Sequence, residues 1–245
     1  MIEIPLILCV AIVASSVGTL TGFGTSTIMV PIMLSFYPVG QTLLFVGIIH
    51  WFGNIWKILL FRKGFQWKLI LSFGIPGIAT AYLGAMLVKE VFDKSPTSLL
   101  RILGAFLICY VIYLFLKSSF KIKPSLSTGV CGGALSGFLA GFFGIGGAVR
   151  GLFLTSFDLP KAVYIATAGA IALTIDTTRL TTYIIVNKAR LPDLLFWGLL
   201  LFIPASFLGA KIAKSIVDKI PQEHFRKVVA AFLFIMGIKL LIFPE

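Results

Sequence analysis

The residues best placed to do chemistry in this chain are ionisable groups inside otherwise apolar stretches. Asn54 and Lys57 stand three residues apart in one stretch, and Asp176 and Arg179 stand three apart in another. Residues at i and i+3 share one face of a helix, and ionisable groups at membrane depth commonly mark a substrate or ion path. Arg150 is a further cation with no acid near it in the sequence. Three cations against one carboxylate predict a small anionic substrate.

Each of these residues also has a structural interpretation. Asp176 and Arg179 could simply neutralise each other, and Lys57 could extend its ammonium toward the nearby membrane surface. His50 lies on the same stretch as Lys57 and could shuttle protons, although a lone histidine on an apolar face commonly serves packing.

Glycines interrupt two apolar stretches near their middle. A break inside a helix starts a new helix N-terminus, whose free N–H groups and partial positive charge favour anions. The alternative is that these glycines only let helices pack closely. Their recurrence at matching places in both halves favours substrate binding at the breaks and their neighbours, which are Gly22, Gly24, Thr25, Ser26, Thr27, Gly144, Gly146 and Gly147.

The chain repeats itself. When it is compared with itself after a shift of 122 positions, Asn54 falls on Asp176 and Lys57 falls on Arg179, and the glycine breaks coincide. The sequence therefore predicts two homologous transmembrane repeats, at 1–123 and 124–245, within one integrated membrane domain. Duplicated transporters bind their substrate between such halves.

Composition places the chain in the lipid bilayer. Hydrophobic residues make up 58% of the sequence and charged residues 12%, with a mean hydropathy of +1.04. These values predict an all-α polytopic membrane protein with four hydrophobic segments per repeat, the first of each broken by glycines. The eight segments are 4–36, 41–61, 67–88, 98–116, 126–157, 161–187, 193–213 and 225–243.

Positive charge predicts how these segments cross. The net charge of +12 comes largely from short loops beside apolar runs, which points to anionic lipid head groups and excludes nucleic acid as a partner. If every segment crosses once, the loop Lys and Arg residues divide 8 to 9 between the two sides, whereas treating the broken segments as hairpins divides them 12 to 5. The second arrangement obeys the positive-inside rule. It predicts inverted repeats, with both termini outside and the loops at 62–68, 117–125 and 214–223 in the cytoplasm.

Other kinds of site lack support in the sequence. It contains neither an HExxH nor a GxSxG motif, and no second intramembrane acid to pair with Asp176, so we expect no enzyme, no metal site and no cofactor. Cys9, Cys109 and Cys131 are isolated in apolar stretches, and we expect them to be small core residues.

Two segments carry a family resemblance. Gly22-Phe-Gly-Thr-Ser-Thr-Ile-Met-Val-Pro31 and Gly141-Phe-Phe-Gly-Ile-Gly-Gly147 resemble the glycine-rich signature that opens each half of the TauE/SafE sulfite exporter family. The resemblance implies a multi-pass transporter of the cytoplasmic membrane for sulfite, sulfonates, sulfoacetate or similar anions. The second copy departs from the pattern at Ala148, Arg150 and Phe153, beside the expected site.

The expected mechanism is alternating access, in which one half rocks against the other. A proton and a sodium ion are both candidate coupling ions, and the sequence sets no oligomeric state. Two other functions remain open. An anion channel would use the same cations without saturation or counterflow, and a membrane scaffold or assembly factor would tolerate loss of Arg179 and Lys57.

Overall fold

The computed structural model describes residues 3–22, 24–62, 64–94, 96–116, 123–217, 219 and 222–244. Within these ranges the regular structure is entirely helical, which confirms the predicted all-α class. The first half contains α1 Glu3–Thr21, α2 Ser26–Met33, α3 Val39–Leu60, α4 Trp67–Lys94 and α5 Pro96–Leu116. The second half contains α6 Leu126–Phe143, α7 Gly147–Leu154, a 3-10 turn at Thr155–Phe157, then α8 Lys161–Ile185, α9 Asp193–Ile216 and α10 Gln222–Ile242.

Several of these helices can span a bilayer by length and composition. Among the described residues, α3, α6, α9 and the part of α4 at Trp67–Val88 are long and apolar enough, while Pro5–Thr21 and Leu100–Ile112 are shorter apolar helices. Helix α8 has 25 residues but carries the charged pair predicted to face the interior. A multi-pass membrane protein follows from this set of helices.

Both glycine breaks reverse the chain. At the first break, the Gly24 N–H donates to the Gly18 carbonyl at 3.3 Å, so α2 starts beside the last turn of α1. At the second break, Gly146 packs on Ser136 of α6, and Phe153 near the end of α7 packs on Gly132 nearer the start of α6. Each eight-residue helix therefore starts a return path beside the helix before it, as a hairpin requires.

Positive backbone φ angles make these reversals possible. Gly22, Gly24 and Gly144 have φ values of 73°, 84° and 72°. This left-handed region is open to glycine because glycine has no Cβ. The reversals thus require glycine at these three positions whatever else the breaks do.

The central helices cross in opposite directions. Gly47 of α3 packs on Leu180 of α8, whereas Gly169, nearer the start of α8, packs on Lys57, nearer the end of α3. Helices α3 and α8 are therefore antiparallel, although they occupy the same place in the element order of their halves. Helices α5 and α10 are antiparallel in the same way, since Gly104 packs beside Leu240 while Gly237 packs beside Ile108.

Polar contacts show which connections share an end of the bundle. The Gln66 N–H donates to Thr167 Oγ1 at 3.2 Å, and Lys161 Nζ donates to the Val217 carbonyl at 3.2 Å, so the α3–α4 and α9–α10 connections both lie at the end where α8 begins. At the opposite end, Lys239 Nζ donates to Ser35 Oγ at 3.0 Å.

The three cysteines correct one expectation. Cys9, Cys109 and Cys131 are all exposed on the outer surface of the helical bundle, so the prediction that they are core residues was wrong. Exposed apolar side chains nearby in the sequence include Leu6, Ile112 and Val130, and a bilayer would cover such a surface. The predicted cytoplasmic loops fall in part outside the described residues, at 63, 117–122, 218 and 220–221.

Candidate functional site

Asp176 is the centre of a buried polar cluster at the crossing of α3 and α8. Its Oδ1 accepts a hydrogen bond from Arg179 Nε at 2.8 Å, and its Oδ2 lies 2.8 Å from Asn54 Nδ2 and 2.7 Å from His50 Nδ1. Asp176 is 2% exposed and Arg179 is 1% exposed. The antiparallel crossing brings these two predicted pairs together, because the i, i+3 spacing on each helix places both polar groups on the face that meets the other helix.

Asn54 links the second cation to the carboxylate. Its Nδ2 donates to Asp176, while its Oδ1 accepts from Lys57 Nζ at 3.1 Å. Lys57 is buried, so its ammonium does not extend to the surface as the alternative interpretation allowed. Both predicted pairs therefore belong to one network.

His50 is a site residue that the sequence prediction placed only as a weak candidate. It lies one helical turn before Asn54 and two turns before Lys57, at the i, i+4, i+7 spacing that defines one helix face. That spacing was the signal available in the sequence. The ring is buried between the carboxylate of Asp176 and the first glycine break.

The first break packs against this face of α3. A Cβ built on Gly24 would overlap His50 Nε2, so the imidazole lies directly on the glycine backbone. Thr25 Oγ1 lies 3.5 Å from the position that a Cβ on Gly53 would take, one turn along α3. The predicted site residues Thr25, Ser26 and Thr27 are all buried where α2 begins.

The second break packs against Arg179. A Cβ on Gly144 would lie 3.4 Å from Arg179 Nη1 and 2.8 Å from Leu43 of α3. Gly147 begins α7 and is buried, whereas Gly146 is packed on the backbone of Ser136 in α6. Gly146 therefore serves the hairpin packing.

Arg150 lies in the first turn of α7 and is 2% exposed. Its charge interacts with those of Asp176 and Arg179, and also with that of Lys57. The guanidinium Nε has no hydrogen-bond partner among the described residues. Three buried cations thus surround one carboxylate, which is the charge balance that the sequence predicted.

Two tyrosines of α8 hold the helix ends at the breaks, and the sequence prediction missed both. Tyr164 donates through its hydroxyl to the Thr21 carbonyl at 3.4 Å, at the end of α1. Tyr183 donates to the Gly141 carbonyl near the end of α6, where Arg179 Nη1 also reaches the Ala140 carbonyl at 3.4 Å. The two tyrosine hydroxyls thus donate to the Thr21 and Gly141 carbonyls, which lie in last helical turns, where carbonyl groups lack an intrahelical donor.

A cavity of about 300 Å³ lies at the end of the bundle where α3 begins and α8 ends. Tyr183 lines this cavity, and Arg179 lies one helical turn farther inside on α8. Its remaining lining residues are Pro38, Val39, Gly40, Gln41, Leu43, Val88, Asn187, Ala189 and Arg190. Arg190 and the N-terminus of α3 give the cavity a positive character.

Within the part of the chain that the structure describes, no three His, Cys, Asp or Glu side chains group together as metal ligands would. The cluster combines one carboxylate and one imidazole with three cations, an amide and nearby hydroxyl groups, and these cations and donors can bind an anion through charge and hydrogen bonds.

Comparisons with known proteins agree with this architecture. The sequence model of the family described as sulfite exporter TauE/SafE matches residues 7–240. The chain is also 27% identical over 269 aligned positions to a probable membrane transporter protein of Methanocaldococcus jannaschii, and the alignment covers 98% of this chain and 96% of that protein.

Proposed function

The chain belongs to the sulfite exporter TauE/SafE family of membrane transporters, and we propose that it is a secondary transporter of small sulfur-containing or organic anions in the cytoplasmic membrane. The observation that carries this proposal is the cluster at the α3–α8 crossing. Lys57, Arg150 and Arg179 are buried there with Asp176 as their counter-charge. A structural ion pair would need one cation only, so the excess positive charge supports an anionic ligand.

The proposed binding position lies where the two breaks approach α3 and α8. Gly24 and Thr25 approach it from the first hairpin, and Gly144 and Arg150 approach it from the second. Helices α2 and α7 both begin here, and a helix N-terminus supplies unbonded N–H groups and partial positive charge. An anion at this position would meet groups from both halves, as in transporters that bind between their repeats.

The repeats at 1–123 and 124–245 are proposed to be inverted in the membrane. Antiparallel packing of α3 with α8 and of α5 with α10 supports this arrangement, because equivalent helices then cross the bilayer in opposite directions. The return path of each hairpin supports it as well, since it leaves an odd number of net crossings per half. The 12 to 5 distribution of loop cations supports a cytoplasmic position for the α3–α4 and α9–α10 connections.

In alternating access, the barrier that blocks the anion would shift from the position of one tyrosine of α8 to that of another. The cavity reaches Tyr183 from the end at which we place the outside, while Tyr164 packs on Gly22 nearer the cytoplasmic end. Loss of the Tyr183 bond to Gly141, with rocking of one half against the other, would connect the cavity to Arg179. Closure of that side and separation of Tyr164 from Thr21 would open the opposite side.

A proteoliposome uptake screen tests the proposal. The panel comprises sulfite, thiosulfate, sulfate, sulfoacetate and a few carboxylates, each followed as saturable uptake and as counterflow against the same unlabelled anion. We expect at least one sulfur-containing anion to show both. Flux that never saturates and shows no counterflow would indicate a channel, and no flux of any anion from well-folded protein would favour a scaffold.

Matched variants connect the flux to the cluster. Arg179→Gln removes a buried cation, while Arg62→Gln removes a surface cation at the end of α3. We expect the first change to abolish uptake and the second to leave it near the wild-type rate. Equal uptake by both variants would show that transport does not depend on the cluster.

A further inference from the structure

Two polar atoms without partners lie where the first glycine break meets α3. Among the described side chains, the buried polar atoms that lack a hydrogen bond are Thr19 Oγ1, Thr25 Oγ1, His50 Nε2 and Arg150 Nε. His50 Nε2 lies on Gly24, and Thr25 Oγ1 faces Gly53 one turn along the same helix. A buried polar atom left without a hydrogen bond destabilises the folded state, which is a reason to ask what ligand completes it.

The hydrogen bonds define the tautomer of His50. Asp176 accepts from Arg179 and Asn54, as a carboxylate does, so the His50 nitrogen that lies 2.7 Å from its Oδ2 must be the donor. Asn54 Nδ2 lies 3.3 Å from the same nitrogen and donates instead to Asp176, at 2.8 Å. In a neutral imidazole the proton is therefore on Nδ1, and Nε2 is an unprotonated acceptor. This acceptor faces the break with no donor to meet it.

We infer that His50 Nε2 takes up the proton that is transported together with the anion. The inference rests on the proposed transport function and names its coupling ion. A proton on Nε2 turns an unpaired acceptor into a cationic donor that points at the break, where the anion would accept its hydrogen bond together with that of Thr25 Oγ1. Each ligand then favours the other, because the anion stabilises the imidazolium and the imidazolium stabilises the anion.

The groups around His50 are consistent with this pairing. On its own helix it faces Asn54 and Lys57, and from α8 it faces Asp176 and Arg179. The described residues of the first hairpin contribute glycine backbone and hydroxyl groups. Asp176 is therefore the counter-charge for an imidazolium, and the anion offsets the repulsion from Lys57 and Arg179.

Sodium fits this position less well than a proton. Asp176 is the acid at the cluster, and its two oxygens already accept three hydrogen bonds. A hard cation needs several oxygen ligands, and here it would lie among buried cations. A proton needs only the free lone pair of Nε2.

The repeat predicts one proton site per chain. In the comparison of the two halves, the position equivalent to His50 is Ala172, although Asn54 and Lys57 both have polar equivalents. The proton site is thus a feature of the first half alone, and one proton should accompany each anion.

The test measures anion and proton flux in the same proteoliposomes. Thiosulfate, sulfate and sulfoacetate serve as probes because their charges stay constant between about pH 6 and about pH 8. A pH effect on uptake in this range therefore comes from the protein, and histidine is the side chain that ordinarily titrates there. Each anion is added outside with and without an inward proton gradient, and a pH dye in the lumen follows proton entry. We expect an anion that is taken up to carry about one proton and to enter faster with the gradient.

His50→Gln supplies an amide at the position of Nε2 but cannot bind a proton. We expect slower uptake, and we expect the ratio of uptake with and without the gradient to fall to about one. If this variant does not fold, His50→Asn keeps a polar group near Asp176 and is expected to show the same ratio. Thr177→Val is the matched control, because it removes the bond from Trp51 on the exposed side of the same crossing and should keep the gradient effect.

Anion uptake by the wild type that is equal with and without the gradient would overturn the proton inference and leave the transport function intact. A gradient effect that persists in His50→Gln would also overturn it, since the proton would then bind elsewhere. Folded protein that takes up neither these probes nor any other anion of the uptake panel, under either condition, would overturn the transport function, and the inference with it.

Discussion

Separating the charge roles of Asp176 and Arg179 is the most direct test of the cluster. Asp176→Asn would leave Lys57, Arg150 and Arg179 without their buried carboxylate. Breaking a buried ion pair by removing one partner typically destabilises a protein by about 3–5 kcal/mol, because a charge remains uncompensated. Arg179→Gln leaves Asp176 with its bonds to Asn54 and His50, so its destabilisation should be smaller, near the 1.5–3 kcal/mol of a single bond to a charged group.

Stability and uptake should respond differently to the double change. Asp176→Asn with Arg179→Gln restores charge neutrality at the pair, and we expect the free energy of unfolding to recover in part while anion uptake stays absent. The assays are unfolding by SDS in mixed micelles and uptake in proteoliposomes, on the same preparations. Arg62→Gln is the control for loss of a cation outside the cluster.

Recovery of both stability and uptake in the double variant would refute the reasoning. It would mean that the pair only neutralises itself within the fold and that neither charge meets the substrate. A greater loss of stability in Arg179→Gln than in Asp176→Asn would also contradict the hydrogen bonds, since it is the carboxylate that has three partners.

Two further predictions follow from the fold. In a background without the native cysteines, single cysteines at Gln66 and Lys219 should resist an impermeant thiol reagent added outside, while one at Arg190 should react. Labelling of Gln66 and Lys219 from opposite sides would show that the repeats are not inverted. Gly144→Ala should lower the free energy of unfolding by about 1–3 kcal/mol, because φ is 72° there and the new methyl group would meet side chains of α2 and α3. The control Gly40→Ala has open space around it and should change the free energy of unfolding by less than about 0.5 kcal/mol. Equal stability of these two variants in SDS unfolding would show that the second break does not need its left-handed turn.

Contacts at the glycine breaks limit which substitutions can test anion binding there. Replacement of Gly24 or Gly146 by a large residue tests more than anion binding, since a Cβ at the first would overlap His50 and a Cβ at the second would overlap the Ser136 backbone. Thr25→Val is cleaner, because it keeps the shape of the side chain and removes only the unpaired hydroxyl.

Apolar segment length and glycine position were sufficient to predict the helices. The segment predicted at 41–61 is α3 at Val39–Leu60, and the broken segment at 126–157 is α6 and α7 with their reversal at Gly144. These features are local, since they depend on hydropathy along one stretch and on the φ angles that only glycine adopts readily. The i, i+3 spacing of the two polar pairs is also local, so the sequence alone predicted that the members of each pair share a helix face. The predicted substrate position and the inverted repeats remain predictions, supported by the contacts described above.

Tertiary structure alone decided which polar groups meet. The loop charges predicted that equivalent helices run in opposite directions, but nothing in the sequence says that α3 and α8 touch at His50, Asn54 and Asp176. The exposed cysteines and the two tyrosines at the breaks have the same explanation, because an apolar stretch can face either lipid or protein. Composition determined that this chain lies in a membrane. Because the bilayer and the protein core are equally apolar, hydropathy cannot distinguish lipid-facing residues from buried ones. Only packing between helices distinguishes the lipid-facing surface from the buried site.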